Sequence, residues 1–455
     1  MEVDNIKVVY FVGIGGIGMS ALARYFKVMG YEVAGYDRTS SPLTRKMSDE
    51  EGFDITYEDD ETGIRAVFRD REHTLVVYTP AVPKENRILS FFRDNGYSLH
   101  KRAEVLGFLS RSKKALCIAG THGKTTTTTM LAFLLSRSHV GCSAFLGGIS
   151  SNFGTNLLID KNSDYVVIEA DEYDRSFLHL YPAIAVITAM DADHLDIYGT
   201  HEHLLMAFEE FALQTQGELF LRKGLELRKR QVTGYYAVGE KTDYYADCLR
   251  VDNGSYLFDY IGKDIEIKDL RLCFPGRVNV ENATAAITVA LHAGVTPEEI
   301  RKSLPLFTGV ARRFDMHVKS DRLIYIDDYA HHPREIEASL SSIRDMWPNK
   351  KLTVAFQPHL YSRTNDFYPD FAKSLNLADE VILLDIYPAR EQPIPGVTSG
   401  LIAERLTVPF VQVSKDEFPE YVRKNVSEGI FMTMGAGDID RFIPVFTEMF
   451  NYPAR

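Results

Sequence analysis

The sequence predicts an α/β protein built on parallel sheets and divided into two or three domains, on three observations. Short β-branched or aromatic runs alternate with helix-length amphipathic segments along most of the chain. Several of these runs end in glycine-rich or acidic stretches, and the carboxyl ends of strands are where open parallel sheets bind ligands. The length, 455 residues, exceeds what one hydrophobic core usually organises.

Residues 7–13 (KVVYFVG), 31–37 (YEVAGYD) and 74–80 (TLVVYTP) read as strands, with helix between the first two. The segment 101–114, KRAEVLGFLSRSKK, holds a short helix and the hinge to a second unit, whose strands fall at 115–120, 164–170 and 184–190. From about Gly217 to Phe274 the texture changes to short alternating segments such as YYAVG, SYLFDYIG and DIEIKDLRLCF, expected as an antiparallel β flank. After Pro275-Gly276 the stretch NVENATAAITVALHAG predicts a helix that stops at Gly294. A third unit begins between Thr308 and Arg313. Its strands, 322–328, 351–357, 380–386, 409–413 and 429–435, again alternate with amphipathic helices.

Composition narrows the function classes. A formal net charge of -12 argues against a nucleic-acid partner, which would need a basic footprint; an anionic small substrate needs only a local positive site. The cysteines, Cys117, Cys142, Cys248 and Cys273, form no C-x-x-C pair, which suits reduced thiols and offers no zinc or disulfide framework. The start, MEVDNIKVVYFVG, is acidic where a signal peptide would be basic. Apolar runs are broken well before the roughly 20 residues of a spanning helix. A cytoplasmic location without membrane insertion is expected.

Two glycine loops compete for a nucleotide. In ALCIAGTHGKTT a strand leads into Gly120, Thr121, His122, Gly123, Lys124, Thr125 and Thr126. The usual phosphate-loop spacing would need a glycine where Ile118 stands, but the physical logic survives the shortening. Backbone N–H groups curl around an anion at a helix start, Lys124 reaches the β/γ-phosphates and the Thr125 hydroxyl ligates Mg²⁺. Upstream, VVYFVGIGGIGMS places Gly13, Gly15 and Gly18 in dinucleotide spacing, with Gly16 a further anion nest and Met19 and Ser20 following. Asp37 closes the second strand where a ribose-binding acid would sit.

Other strand ends converge on the same chemistry. IEADEYD supplies Glu169, Asp171 and Glu172, and a carboxylate there suits Mg²⁺. MDADHLDIYG places His194 beside the same sheet edge. In the third unit, ARRFD, DDYAHHP and FQPHLYSRT gather Arg312, Arg313, Asp328, His331, His359 and Arg363, a set able to fix carboxylates and phosphates.

Together GTHGKTTTT, EADEYD, DADHLDIYG, PGRVNVENATAA, ARRF, DDYAHHP, FQPHLYSRT and GAGDI resemble the Mur ligases of peptidoglycan synthesis, from Gly13 to Asp438. The resemblance implies three domains: a Rossmann-like UDP-sugar domain (1–106), a central ATP-binding domain with the β-rich flank (107–307) and a Rossmann-like amino-acid domain (308–455). It implies ATP and Mg²⁺ as cofactors and, from the motifs DADHLDIYG and SFLHL, UDP-N-acetylmuramate and L-alanine as substrates. Carried over by residue, Lys124, Thr125, Glu169 and His194 take the phosphate and Mg²⁺ positions. Asn282 falls on the adenine side, Arg312 at the γ-phosphate and Asp328 at the nucleotide ribose. Tyr329, His331, His359 and Arg363 handle the incoming amino acid, with His331 a candidate to orient or deprotonate its amine. The loop Gly13, Gly15, Gly16, Gly18, Met19 and Ser20, with Asp37, cradles the UDP-sugar. Val278 stands where members often have histidine. Many members have serine where Tyr173 stands, and the tyrosine resembles the variant found in a recycling ligase that adds a tripeptide to the same sugar nucleotide. That ligase is one alternative, and an NAD-dependent oxidoreductase built on Gly13, Gly15, Gly18 and Asp37 is another.

Overall fold

The computed structural model describes residues 5–192, 195–252, 254–389 and 391–451. The chain divides into two compact units: Met1–Ala246 with Tyr260–Ile267 and Asn282–Ser303, and Asp247–Asp259 with Lys268–Glu281 and Leu304–Arg455. Three sheets run through it.

The first sheet has the order β3-β2-β1-β4-β5, with β1 Val8–Val12, β2 Glu32–Tyr36, β3 Asp54–Thr56, β4 Thr74–Tyr78 and β5 Leu99–Lys101. All its pairings are parallel. Strand β1 is buried on both faces, as a central parallel strand must be. Val8, Tyr10 and Val12 pack on Phe68 and Phe92. Val9 and Phe11 face Leu22 and Phe26 of the helix Ile17–Val28, in a core that continues through Phe145, Phe177 and Phe211. That shared core makes one unit of the first sheet and most of the second.

The second sheet has ten strands in the order β15-β14-β13-β12-β11-β10-β6-β9-β7-β8. Its parallel centre is β6 Lys114–Ala119 between β9 Tyr165–Ala170 and β10 Ile184–Ile187. On one side lies a hairpin, β7 Ser143–Ser150 and β8 Thr155–Leu158. On the other come β11 Glu218–Arg222, β12 Gly234–Val238, β13 Tyr244–Asp252, β14 Ser255–Ile261 and β15 Glu266–Leu272. The expected antiparallel flank is corrected here: β11, β12 and the start of β13 add parallel to the sheet. The helix His201–Gln214 makes the crossover from β10 to β11, the connection that parallel neighbours require. The helix Arg277–His292 forms as predicted, and Gly294, at φ +103, stops it in a left-handed conformation.

The third sheet, β16-β17-β21-β18-β19-β20, comprises β16 Asp315–Lys319, β17 Leu323–Asp328, β18 Leu352–Phe356, β19 Glu380–Leu383, β20 Phe410–Gln412 and β21 Gly429–Met434. It is parallel except for the edge strand β16. One face is an aromatic core of Tyr325, Phe418, Phe431 and Phe446. Among the described residues no helix is long and apolar enough to cross a membrane.

Candidate active site

In the first unit, β6 hands the chain to Gly120 at φ +132 and Gly123 at φ +82, conformations that side chains rarely adopt. Space enforces the choice as well. A Cβ on Gly120 would meet the Thr188 hydroxyl at 2.3 Å, and one on Gly123 would meet Asn282 Oδ1 at 2.9 Å. Thr188 clamps the turn, its hydroxyl donating to the carbonyls of His122 and Ala119. The helix Lys124–Ser136 starts at Gly123 with no side-chain cap, which leaves its first amides pointing into the loop. The threonine run is buried because its hydroxyls find partners: Thr127 donates to Asn282 Oδ1 at 3.2 Å, and Thr128 and Thr129 donate to carbonyls one turn back. Asn282 therefore sits against the start of this helix.

Lys124 Nζ donates to the Gly120 carbonyl at 2.7 Å and to Glu172 at 2.8 Å, where Glu172 is wholly buried. Burial alone would lower the lysine, but Glu172, Asp171 and Glu169 outweigh it and hold its pKa above the ordinary value. Burial raises Glu172 against the pull of that ammonium. Sequence reasoning placed Glu172 only as one acid of three at a strand end; burial singles it out.

Thr125 Oγ1 donates to Glu169 Oε1 at 3.0 Å, and the Gly147 amide donates to Glu169 Oε2, also at 3.0 Å. Neighbouring oxygens around an octahedral Mg²⁺ lie about 2.9 Å apart, given Mg–O bonds near 2.05 Å. Thr125 and Glu169 thus fit two adjacent positions on one ion. His194, expected as their companion, lies outside the described residues. His122 and Thr121 face Asp191, with His122 Nε2 3.7 Å from its carboxylate and the Thr121 hydroxyl accepting from its amide.

The upstream glycine loop opens the helix Ile17–Val28, which also lacks a side-chain cap. Met19 and Ser20 turn inward and are buried, the Ser20 hydroxyl donating to Ile17, so what they can offer a ligand is backbone. Asp37 folds onto the loop, accepting the Gly15 amide at 2.7 Å. A Cβ on Gly15 would meet that carboxylate at 2.8 Å.

The second unit assembles its own cluster. Tyr329 lies under the guanidinium groups of Arg312 and Arg313, at 5.1 and 4.9 Å from the ring centre. The His331 ring sits 5.3 Å from Tyr329 and 6.0 Å from His359, and Arg363 acts electrostatically on both histidines. His331 Nδ1 lies 2.9 Å from the Tyr329 carbonyl. A carbonyl only accepts, so Nδ1 carries the proton and Nε2 keeps its lone pair. Burial lowers the pKa of His331, and burial followed by His331 and Arg363 pushes His359 down to about 4. His359 Nδ1 is buried with no hydrogen-bond partner among the described residues.

Arg312, at φ +63, donates to Asp327 at 3.2 Å and to the Gly435 carbonyl at 2.7 Å, and lies 3.4 Å from Asp440. Asp328 is buried; it accepts from the Ala330 amide at 3.1 Å and from the Ser339 hydroxyl. The expected positions therefore gather into three sets: the upstream loop with Asp37, and Lys124, Thr125, Glu169 and Asn282, both in the first unit, and Arg312, Asp328, Tyr329, His331, His359 and Arg363 in the second.

Three family models match in chain order: the Mur ligase family, catalytic domain over residues 8–114; the Mur ligase middle domain over 118–290; and the Mur ligase, glutamate ligase domain over 312–437. A UDP-N-acetylmuramate--L-alanine ligase of Phocaeicola vulgatus is 52% identical over 99% of this chain and 100% of its own length. The crystal structure of a UDP-N-acetylmuramate-alanine ligase from Thermotoga maritima superposes with a TM-score of 0.80 at 30% identity, covering 98% of this chain and 99% of that one. A murein peptide ligase from Psychrobacter arcticus shares the fold, with a TM-score of 0.65 at 21% identity over 99% of this chain and 100% of that one.

Proposed function

The chain belongs to the Mur ligase family, with its three-domain α/β fold, and on that premise we propose that it joins L-alanine to the lactyl carboxylate of UDP-N-acetylmuramate at the expense of ATP. The observation that carries this reading is full-length identity of 52% to an alanine-adding ligase, combined with a complete phosphate loop closed on Glu169 and Glu172. The tripeptide-adding alternative rests on Tyr173 and has only fold-level likeness behind it. The oxidoreductase alternative leaves that second loop without a task.

A carboxylate is a poor electrophile, and its oxygen is a poor leaving group. Transfer of the γ-phosphoryl group to the lactyl carboxylate gives an acyl phosphate; the alanine nitrogen attacks the acyl carbon, and phosphate departs. Lys124 neutralises charge on the transferring group, the main lever in phosphoryl transfer. Thr125, Glu169 and His194 would hold Mg²⁺, which when bound adds positive charge at the β- and γ-phosphates. Asn282 serves the adenine side, and the amides of Gly120, Thr121, His122, Gly123 and Thr126 serve the phosphates. Arg312 meets the γ-phosphate, and Asp328 meets the ribose on giving up its Ser339 contact.

Gly13, Gly15, Gly16 and Gly18, with the backbone of Met19 and Ser20, cradle the UDP diphosphate, and Asp37 fixes that loop. Tyr329, His359 and Arg363 receive alanine, and His331 Nε2 accepts a hydrogen bond from its amine. The domain limits 1–106, 107–307 and 308–455 and a cytoplasmic location belong to the same reading.

Phosphate release is to be measured with UDP-N-acetylmuramate and ATP against a panel of amino acids and the tripeptide. Turnover should require L-alanine and Mg²⁺, and preference for the tripeptide would overturn the assignment. Lys124→Ala should abolish ADP formation while leaving UDP-sugar binding intact.

A further inference from the structure

Arg102 opens the helix Arg102–Ser112, directly after β5. Its guanidinium lies across Gly18, the last glycine of the upstream loop: a Cβ on Gly18 would come within 2.8 Å of Nη1 and 3.0 Å of Cζ. The placement is built in. The helix packs on the segment that follows Glu172, with Lys101 Nζ 3.5 Å from Asp174 and Gly107 so close to the His179 carbonyl that a Cβ would lie 2.4 Å from it. The Asn156 amide donates to the Ile17 carbonyl at 2.9 Å and ties the glycine loop to β8 of the central sheet.

The charges that act on Arg102 are Asp171 and Glu169, two of the three carboxylates that also act on Lys124. Arg102 and Lys124 therefore share one acidic field. Arg102 approaches it from the diphosphate loop and Lys124 from the nucleotide loop. Lys124 is bonded to Gly120 and Glu172, whereas the half-buried guanidinium of Arg102, with five N–H donors, makes no hydrogen bond or ion pair among the described residues. Charged donors left without protein partners at a loop of this kind await a ligand, and a planar fork matches a carboxylate or phosphate in two parallel bonds. The amides at the start of the helix Ile17–Val28 already suit the diphosphate. The fork, lying over Gly18 and within the field of Asp171 and Glu169, suits what must travel from that diphosphate to the γ-phosphate.

We propose that Arg102 binds the carboxylate of the sugar nucleotide at the junction of the two loops and holds it for attack on the γ-phosphoryl group. The proposal rests on the ligase reading given above. Two anions must approach each other in that step, and a guanidinium on the attacking carboxylate offsets their repulsion. The bond that forms joins a carboxylate oxygen to phosphorus, the bond to the β,γ-bridging oxygen breaks, and ADP takes the electron pair.

The test uses the full chain and two ligands, UDP-N-acetylmuramate and UDP-N-acetylglucosamine, which differ by the lactyl ether that carries the carboxylate. Calorimetric affinities would be compared for the unaltered protein, Arg102→Met and Arg102→Lys, with ATP affinity as the check on folding. Arg102→Met should weaken UDP-N-acetylmuramate roughly tenfold to a hundredfold, the worth of a charged hydrogen-bonded pair. UDP-N-acetylglucosamine and ATP should stay within about twofold, and Arg102→Lys should recover part of the loss. Equal weakening of both sugar nucleotides would assign the guanidinium to the diphosphate and overturn the proposal, as would unchanged affinity for both. If the unaltered protein itself neither prefers the carboxylate-bearing ligand nor releases phosphate with it, the ligase reading fails instead.

Discussion

Lys124 is held by Glu172: the ammonium lies 2.8 Å from a carboxylate with no solvent exposure. Nζ is also bonded to the Gly120 carbonyl, so a phosphate entering the loop finds one of its three N–H donors uncommitted and competes with Glu172 for the charge. Glu172→Gln keeps a bond from the ammonium but removes the opposite charge of the acceptor, a difference of about 1 kcal/mol. ATP should then bind roughly fivefold more tightly, read by calorimetry. Weaker binding in the variant would mean that Glu172 orients Lys124 for the phosphates rather than competing with them.

The oxygen pair Thr125 Oγ1 and Glu169 Oε1, 3.0 Å apart, makes a second expectation. Glu169→Gln keeps the size and one of the two acceptor oxygens used by Thr125 and Gly147 but removes the charge that Mg²⁺ requires. The Mg²⁺ concentration for half-maximal phosphate release should rise by about tenfold or more, while UDP-sugar affinity stays within a factor of about two. An unchanged Mg²⁺ titration would remove Glu169 from the ligand set.

How far the site was legible in the sequence follows from where its signals lie. Gly120, Gly123 and Lys124 are legible because a tight turn before a helix restricts residue type locally. Glu172 and Arg102 were not, because their roles come from burial and from neighbours distant in the chain. The same division governs the fold. Strongly apolar strands such as β1, β6 and β17 announce themselves, whereas the hairpin β7–β8 carries glycines at 147 and 148 and exposed positions that read as loop. Alternation suggested an antiparallel flank, yet it holds clearly only in β14; β11 is a short buried run that joins the parallel sheet.

Asp327 and Asp328 supply a prediction about pH and stability. Burial raises both carboxyls from 3.8 to about 6 against the favourable pull of Arg312 and Thr433 on Asp327 and of Ser339 and Arg313 on Asp328. A raised folded-state value means that the native state binds the proton more tightly. The stability each group contributes is therefore present below about pH 4 and lost as pH rises through about 6. A carboxyl raised that far favours the protonated native state by about 3 kcal/mol. Glu391 and Asp438, held low, act in the opposite sense, so the difference between variants is the clean measure. Relative to the unaltered protein, Asp328→Asn should gain up to about 3 kcal/mol between about pH 4 and pH 7. Trp347, the one tryptophan, lies at the end of the helix Pro333–Met346 in this unit, so its fluorescence during denaturation follows this unit. A pH-independent difference between the two proteins would show that Asp328 does not carry the proton.

His331 and His359 make the last prediction. Both imidazoles are pushed below their ordinary value of 6.5 by burial, with Arg363 acting in the same direction on each; His331 adds to the effect on His359, which falls to about 4. Burial favours the uncharged form of each, so His331 Nε2 offers a lone pair to the alanine amine without first losing a proton. A base this weak orients the amine and passes a proton on; it does not store one through the pH range where the enzyme works. The pH profile of kcat/KM for L-alanine should accordingly show no inflection near 6.5 and should rise instead with the fraction of unprotonated amine. His331→Gln should raise KM for alanine by about tenfold or more, leave KM for ATP and the UDP-sugar within about twofold, and keep the shape of that profile. An acidic limb between about pH 6 and pH 7 that disappears in His331→Gln would show that the imidazole titrates in the working range, and the neutral-acceptor role would then be wrong.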